Sequence, residues 1–128
     1  MRRRFREGAG MEELAGYSRA VRHGNLIVVS GTGDLAGDGT IGHPGDTYGQ
    51  ARAAFERSIA AIEHLGGGRE DVVRSRIYCT PESDWQGALR AHQELLGDVA
   101  PVNATVVVVG FPAPGMLVEV ELDAETSE

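Results

Sequence analysis

The chain has 128 residues, 41% of them hydrophobic and 24% charged, with a formal net charge of −7. That is enough for one buried core and too apolar for disorder, and the acidic balance argues against nucleic acid as a partner. All 12 basic residues are arginine, which excludes a lysine Schiff base and a Walker-type phosphate lysine, and the single cysteine, Cys79, excludes a disulfide framework and a cysteine-based zinc site.

Met1-Arg2-Arg3-Arg4-Phe5-Arg6 runs into Glu7-Gly8-Ala9-Gly10 rather than into an apolar stretch, so it does not read as a signal peptide. It reads as a frayed, solvated terminus. Residues 1–15 are then a flexible lead-in to one domain spanning 1–128. The longest run of large apolar residues, Val106 to Val109, is far short of a membrane span. The expectation is a cytoplasmic protein with no membrane partner.

Tyr17–Arg22 and Asn25–Ser30 predict two strands around the turn His23-Gly24. Gly31 to Gly45, rich in Gly, Asp and Pro, predicts a loop. Asp46 is the predicted N-cap of a helix reaching Leu65, with Tyr48, Ala51, Phe55, Ile59 and Ile62 as its buried stripe and Arg52–Glu56 as an outer i,i+4 pair. Gly66-Gly67-Gly68 stops it. Asp71–Thr80 predicts a strand with Val73, Ser75, Ile77 and Cys79 on one face and Val72, Arg74, Arg76 and Tyr78 on the other. Ser83-x-x-Gln86 reads as a capping box for a second helix that turns Trp85, Leu89, His92 and Leu96 inward. Asn103–Val109 and Met116–Leu122 predict two last strands. The order ββ–α–β–α–ββ indicates an α+β fold, a sheet with two helices on one face. The other face lacks a cover. Val106 to Val109 is apolar on both sides of its strand, so other subunits must bury half of it.

Gly31-Thr32-Gly33-Asp34-Leu35-Ala36-Gly37 follows a strand but has the wrong spacing for a dinucleotide loop. In Met116–Leu122, alternation turns Val118, Val120 and Leu122 to the core and Leu117, Glu119 and Glu121 to the open face. A half-buried carboxylate there is either a general base or water-orienting group, or a salt-bridge partner of Arg74 or Arg76 across subunits. Glu119 is the better candidate for the first role and Glu121 for the second. His92 reads as a hydrogen-bonded core histidine or a catalytic one. His23, His43, His64 and His92 lack ligand-pair spacing, so no metal is expected. Cys79 reads as a small buried hydrophobe.

Gly16-Tyr17-Ser18-Arg19-Ala20-Val21, Val29-Ser30-Gly31-Thr32, Gln50-Ala51-Arg52, Pro101-Val102-Asn103-Ala104-Thr105 with the valines after it, and Pro114-Gly115-Met116-Leu117-Val118-Glu119-Val120-Glu121 resemble, in that order, the Rid family, the reactive-intermediate deaminases also called YjgF-like or L-PSP endoribonuclease-like proteins. The resemblance runs from about Gly16 to Ala124. It implies a chorismate-mutase-like fold, a mixed β-sheet with two helices on one face, and a homotrimer whose sheets line a central barrel with clefts between subunits. It implies hydrolysis of 2-imino or 2-enamino acids to 2-oxo acids and ammonia without metal or cofactor. The water-orienting Glu of that family falls on Glu119, its backbone contact on Thr105, its Ser-Gly segment on Ser30, Gly31 and Thr32, and its cleft Tyr on Tyr17.

The family's carboxylate-gripping Arg falls on Asn103, a neutral amide in place of a charged fork. The chain therefore resembles an Arg-lacking subgroup, and imino-acid deamination in its usual form is in doubt. Arg19, on the strand face of Tyr17, is the candidate substitute. Three functions stay open. One is a metal-independent hydrolase of an imine, enamine or related metabolite, with Glu119 and Thr105 in the reaction and Asn103, Tyr17, Ser30, Gly31, Thr32, Arg19 and His92 around the ligand. The second is a non-catalytic small-metabolite binder or sensor. The third is an endoribonuclease or translation inhibitor, which the charge of −7 opposes.

Overall fold

The chain builds a mixed six-stranded sheet in the order β1-β2-β3-β6-β4-β5. The computed structural model describes residues 2–8 and 10–128. The elements are β1 (Arg2–Phe5), α1 (Met11–Ala15), β2 (Ala20–His23), β3 (Leu26–Thr32), α2 (Thr47–His64), β4 (Val72–Cys79), α3 (Trp85–Leu96), β5 (Val102–Val107) and β6 (Val118–Glu125). Neighbouring strands are antiparallel except β4 and β5, which run parallel. The result is an α+β fold with three helices.

Helix α2 forms as its sequence dictates. The Asp46 carboxylate accepts the Gly49 N–H at 2.9 Å, and the chain leaves the helix through Gly66 at φ +88°. Its Ala51, Phe55 and Ile62 are fully buried, packed with Ile27, Ile77, Val118, Val120 and Leu122 from β3, β4 and β6. Tyr48 and Ile59 pack at the margin of that core. Alternation along β6 is clean: Val118, Val120 and Leu122 face the helices, while Leu117, Glu119 and Glu121 are half-buried on the reverse side or at its rim.

Several expectations need correction. The arginine tract is strand β1, in register with β2 from Arg2↔His23 to Phe5↔Ala20, rather than a frayed end. Phe5 stacks on His64 and Arg3 donates to the Leu65 carbonyl at 3.0 Å, so both strand and side chains tie it down. The two last strands, consecutive in the chain, are not neighbours in the sheet. Strand β6 inserts between β3 and β4 and leaves β5 as an edge. A bulge between Val72 and Arg74 shifts the alternation of β4, so Val72 is buried and Val73 is exposed. Strand β5 ends at Val107, and Val109 is fully exposed in the loop after it.

Helix α3 is capped by Asp84, which accepts the Gly87 N–H at 3.2 Å, while Ser83 donates to the Thr80 carbonyl at 2.7 Å. Its buried face is Gly87, Ala88, Ala91 and Leu96; Trp85 and Leu89 are exposed. Small residues win this face because α2 lies against it. A Cβ at Gly87 would stand 3.3 Å from the Cβ of Tyr48, too tight for a larger side chain.

Candidate functional site

Glu119, Gly31, Ser30, Tyr17 and Arg19 come together at the end of the sheet where β3 and β6 meet. They line a cavity of about 880 Å³, walled on other sides by Phe111, Pro112 and Pro114 from the β5–β6 loop, by Leu35 to Gly37, and by Glu7, Glu12 and Arg57. A bulge in β3 between Val29 and Thr32 opens the ladder here, so Gly31 lies directly against Glu119. A side chain at residue 31 would run into the Glu119 carboxylate; only glycine admits that approach.

Among the described residues no hydrogen bond reaches the Glu119 carboxylate. Burial pushes its acidity toward higher pH, the neighbouring Glu121 charge adds to this, and Arg19 opposes it. Glu121 differs. It accepts from the Tyr78 hydroxyl at 2.7 Å and lies 3.6 Å from the Arg76 guanidinium.

Arg19 is 4% exposed. Its Nη1 donates to the Gly31 carbonyl at 2.7 Å and to Thr32 Oγ1 at 3.0 Å, and its guanidinium lies 5.9 Å from the Tyr17 ring centre. Thr32 is fully buried behind the wall and donates to the Ser30 carbonyl at 2.8 Å. Glu7 and Arg57 were not found from the sequence. Arg57 Nε donates to Glu7 Oε2 at 2.9 Å, Arg57 Nη1 to the Gly33 carbonyl at 2.9 Å, and Glu7 Oε1 also lies 3.2 Å from Arg19 Nε. Arg57 draws the Glu7 carboxyl below its ordinary range, against the effect of burial. One signal was available: an acidic residue directly after a basic tract, and an arginine on the predicted helix two residues past the buried Phe55.

Asn103, Thr105 and His92 lie elsewhere in the protomer. Asn103 pairs with Ser75 across β4–β5, on the helix face of the sheet. Its Nδ2 donates to Ser75 Oγ at 3.0 Å, Ser75 Oγ lies 2.7 Å from His92 Nε2, and the Thr105 hydroxyl donates to Asn103 Oδ1 at 3.0 Å. The Ser75 hydroxyl has both a donor and a spare acceptor for Nε2, so it can pair with either neutral tautomer of His92. Burial lowers the His92 pKa, and the ring meets Phe55 edge-on at 5.4 Å. Cys79 is buried, which raises its thiol pKa.

Among the described residues no group of three or more His, Cys, Asp or Glu side chains converges to hold a metal ion. Among the described residues, no helix is long and apolar enough to cross a membrane.

These features define a small α+β protein with a ligand-sized cavity at one end of a mixed sheet, walled by an unpartnered carboxylate and an arginine–glutamate cluster. The chain belongs to the endoribonuclease L-PSP family, the YjgF-like or Rid proteins, whose family profile matches residues 8–126. It is 39% identical over 122 residues to an uncharacterised protein of Streptomyces coelicolor, covering 95% of this chain and 90% of that one. It is 27% identical over 107 residues to the 3-aminoacrylate deaminase RutC of Acinetobacter baylyi, covering 84% of each. The crystal structure of Rv2704 from Mycobacterium tuberculosis, a member of the YjgF/YER057c/UK114 family, superposes with a TM-score of 0.88 at 39% identity, covering 98% of this chain and 100% of that one.

Proposed function

We propose that this protein is a hydrolase of a small imine or enamine, acting in the Glu119 cavity without a chain-borne metal site, as a single Rid-like domain of residues 1–128 that assembles into a cytoplasmic homotrimer with a central barrel. The observation that carries the reading is the Glu119 carboxylate: aimed at a cavity of about 880 Å³, held close to Gly31, and bonded to none of the described residues. An unpaired half-buried carboxylate is costly, and its use is to accept a proton from water. The RutC relative, whose named substrate is an enamine, supports the reaction class.

In the proposed step, Glu119 takes a proton from water as the water oxygen bonds to the imine carbon. The proton passes to nitrogen to give an amino alcohol; Glu119 then carries the hydroxyl proton to the same nitrogen as the C–N bond breaks, and ammonia leaves a carbonyl product. The Ser30-Gly31-Thr32 segment and Tyr17 position the ligand. Asn103 and the Thr105 backbone act from the neighbouring subunit, since their own protomer sets them apart from its cavity. What supports an assembly is the uncovered strand β5, with Val102 59%, Val106 43% and Val107 61% exposed, beside Leu26 and Val28 on the open face. Sedimentation equilibrium is expected to give a trimer; a stable monomer at micromolar concentration overturns that part.

The reaction is tested by ammonia release from imines generated in situ, from amino acids and from simple amines by the matching oxidases. Glu119→Gln is expected to lose about 10²- to 10⁴-fold in turnover while melting as a folded protein. The wild-type rate falls on the acid side as Glu119 takes up its proton, and it does so at higher pH than an ordinary carboxylate would allow. Equal rates in both proteins reject the reading. Tight ligand binding with no turnover favours the non-catalytic binder.

A further inference from the structure

Glu7 lies against both arginines of the cavity and holds one of them by hydrogen bonds. Arg19 spends Nη1 on the Gly31 carbonyl and Thr32, and its Nε is ion-paired with Glu7 at 3.2 Å without hydrogen-bond geometry. Arg57 spends Nη1 on the carbonyls of Gly33 and Leu35, at 2.9 and 3.3 Å, and points Nε and Nη2 at Glu7. The Glu7 carboxylate thus makes the two-pronged contact that the carboxylate of an imino acid would need. It is also firmly placed. The Glu7 and Gly8 N–H groups donate to the buried carboxylate of Glu12 at 2.9 and 3.0 Å, and strand β1 fixes the chain just before it.

We infer that Glu7 is a specificity-determining residue: it holds Arg57 from within, neutralises Arg19 beside it and closes the site to carboxylates, leaving it to an uncharged or protonated nitrogen compound that donates to Glu119. Three carboxylates, Glu7, Glu12 and Glu119, line the cavity against two guanidinium groups, Arg19 and Arg57. A ligand carboxylate would add a fourth negative charge. To reach Arg57 it must displace a tethered competitor, whose effective concentration is on the order of millimolar. The open group is Glu119, an acceptor, and its complement is an N–H donor such as an iminium, amine, amidine or amide. At residue 103 a neutral amide stands where the family pattern places a carboxylate-gripping arginine, so that position adds no charge for a carboxylate either.

The inference rests on the cavity being the ligand site but not on hydrolysis, so its test reads binding alone. Three probes of one shape are titrated by NMR: butyrate, butyramide and butyramidine. Wild-type protein is expected to bind butyramidine at least tenfold more tightly than butyrate, with butyramide between them. Glu7→Gln frees Arg57 and is expected to raise butyrate affinity tenfold or more. Glu7→Gln combined with Arg57→Gln is expected to return it to the wild-type level. Wild-type protein that binds butyrate as well as butyramidine, or shows no preference among the three, overturns the inference. So does a folded Glu7→Gln variant with unchanged butyrate binding. Should Glu7→Gln fail to fold, the wild-type selectivity decides alone. Loss of turnover in Glu119→Gln tests the reaction, not the role of Glu7.

Discussion

At the β5 edge of the sheet, Thr105, Asn103, Ser75 and His92 hand hydrogen bonds along one line, each within 3.0 Å of the next. At the β3–β6 end, the Glu119 carboxylate has no partner among the described residues, and the buried Arg19 Nε faces Glu7 without hydrogen-bond geometry. Both regions were candidates for chemistry on residue type alone. A satisfied network holds a structure together; a buried polar group left open is a cost that a ligand can relieve. Under the proposed function, the reaction belongs to the Glu119 end and the His92 end packs the fold, with Asn103 taking part only through the proposed neighbouring subunit.

After Glu119→Gln, the largest expected effect breaks the Glu119 end without touching the other. In Gly31→Ala the new methyl displaces the Glu119 carboxylate, the flexible tip of its side chain, rather than backbone. Turnover is expected to fall about 100-fold, the usual cost of moving a reacting group by an ångström, while the melting temperature stays near wild type. If Gly31→Ala keeps full activity, the close approach of Gly31 and Glu119 has no functional meaning. Next in size is Ser75→Ala, which leaves Asn103 Nδ2 and His92 Nε2 without their shared partner. It is expected to cost about 1–2 kcal/mol in urea unfolding with turnover within about twofold, because Asn103, being exposed, can turn to water. A tenfold loss of turnover at unchanged stability would erase the distinction between the two ends and make Ser75 a positioning residue for Asn103.

Much of this was legible beforehand, and the misses share a cause. Helix α2 carried its own start and stop, Asp46 and the three glycines, and β6 carried a strict alternation, so both were read from local pattern. Glu119 followed from that alternation together with the resemblance. Strand β1 was missed because four residues of Arg and Phe show no apolar alternation; its support is backbone pairing with β2 and contacts to Leu65 and His64, sixty residues away. That miss hid Glu7. Arg57 was hidden too, since a helix wheel shows which side is polar but not what meets it. On α3 the bulky Trp85 and Leu89 outweighed alanine in any hydrophobic count, yet the close approach of α2 reserves the buried face for small side chains. The β4 bulge inverted Val72 and Val73 because the extra residue puts the start of the strand out of step with Ser75, Ile77 and Cys79, which keep the predicted face.

The smallest effect sharpens the comparison through pH. Burial lowers the pKa of His92 in the folded chain from its ordinary 6.5. The unfolded chain therefore binds the proton first as pH falls. The stability contributed by neutral His92 is complete above about pH 6.5 and is lost as pH drops through the lower folded value. His92→Gln keeps a polar partner for Ser75 but cannot titrate. Thermal melts between pH 7.5 and 5 are expected to fall less steeply for His92→Gln than for wild type. His43 is the internal contrast: Asp34, 2.7 Å from its ring, raises its pKa, so its contribution runs the opposite way and is present in both proteins. Only the difference between the two curves reports on His92. Parallel curves would mean that water already reaches the ring. The β5 end would then be as open as the Glu119 end, and the contrast between them would fail where it is most delicate.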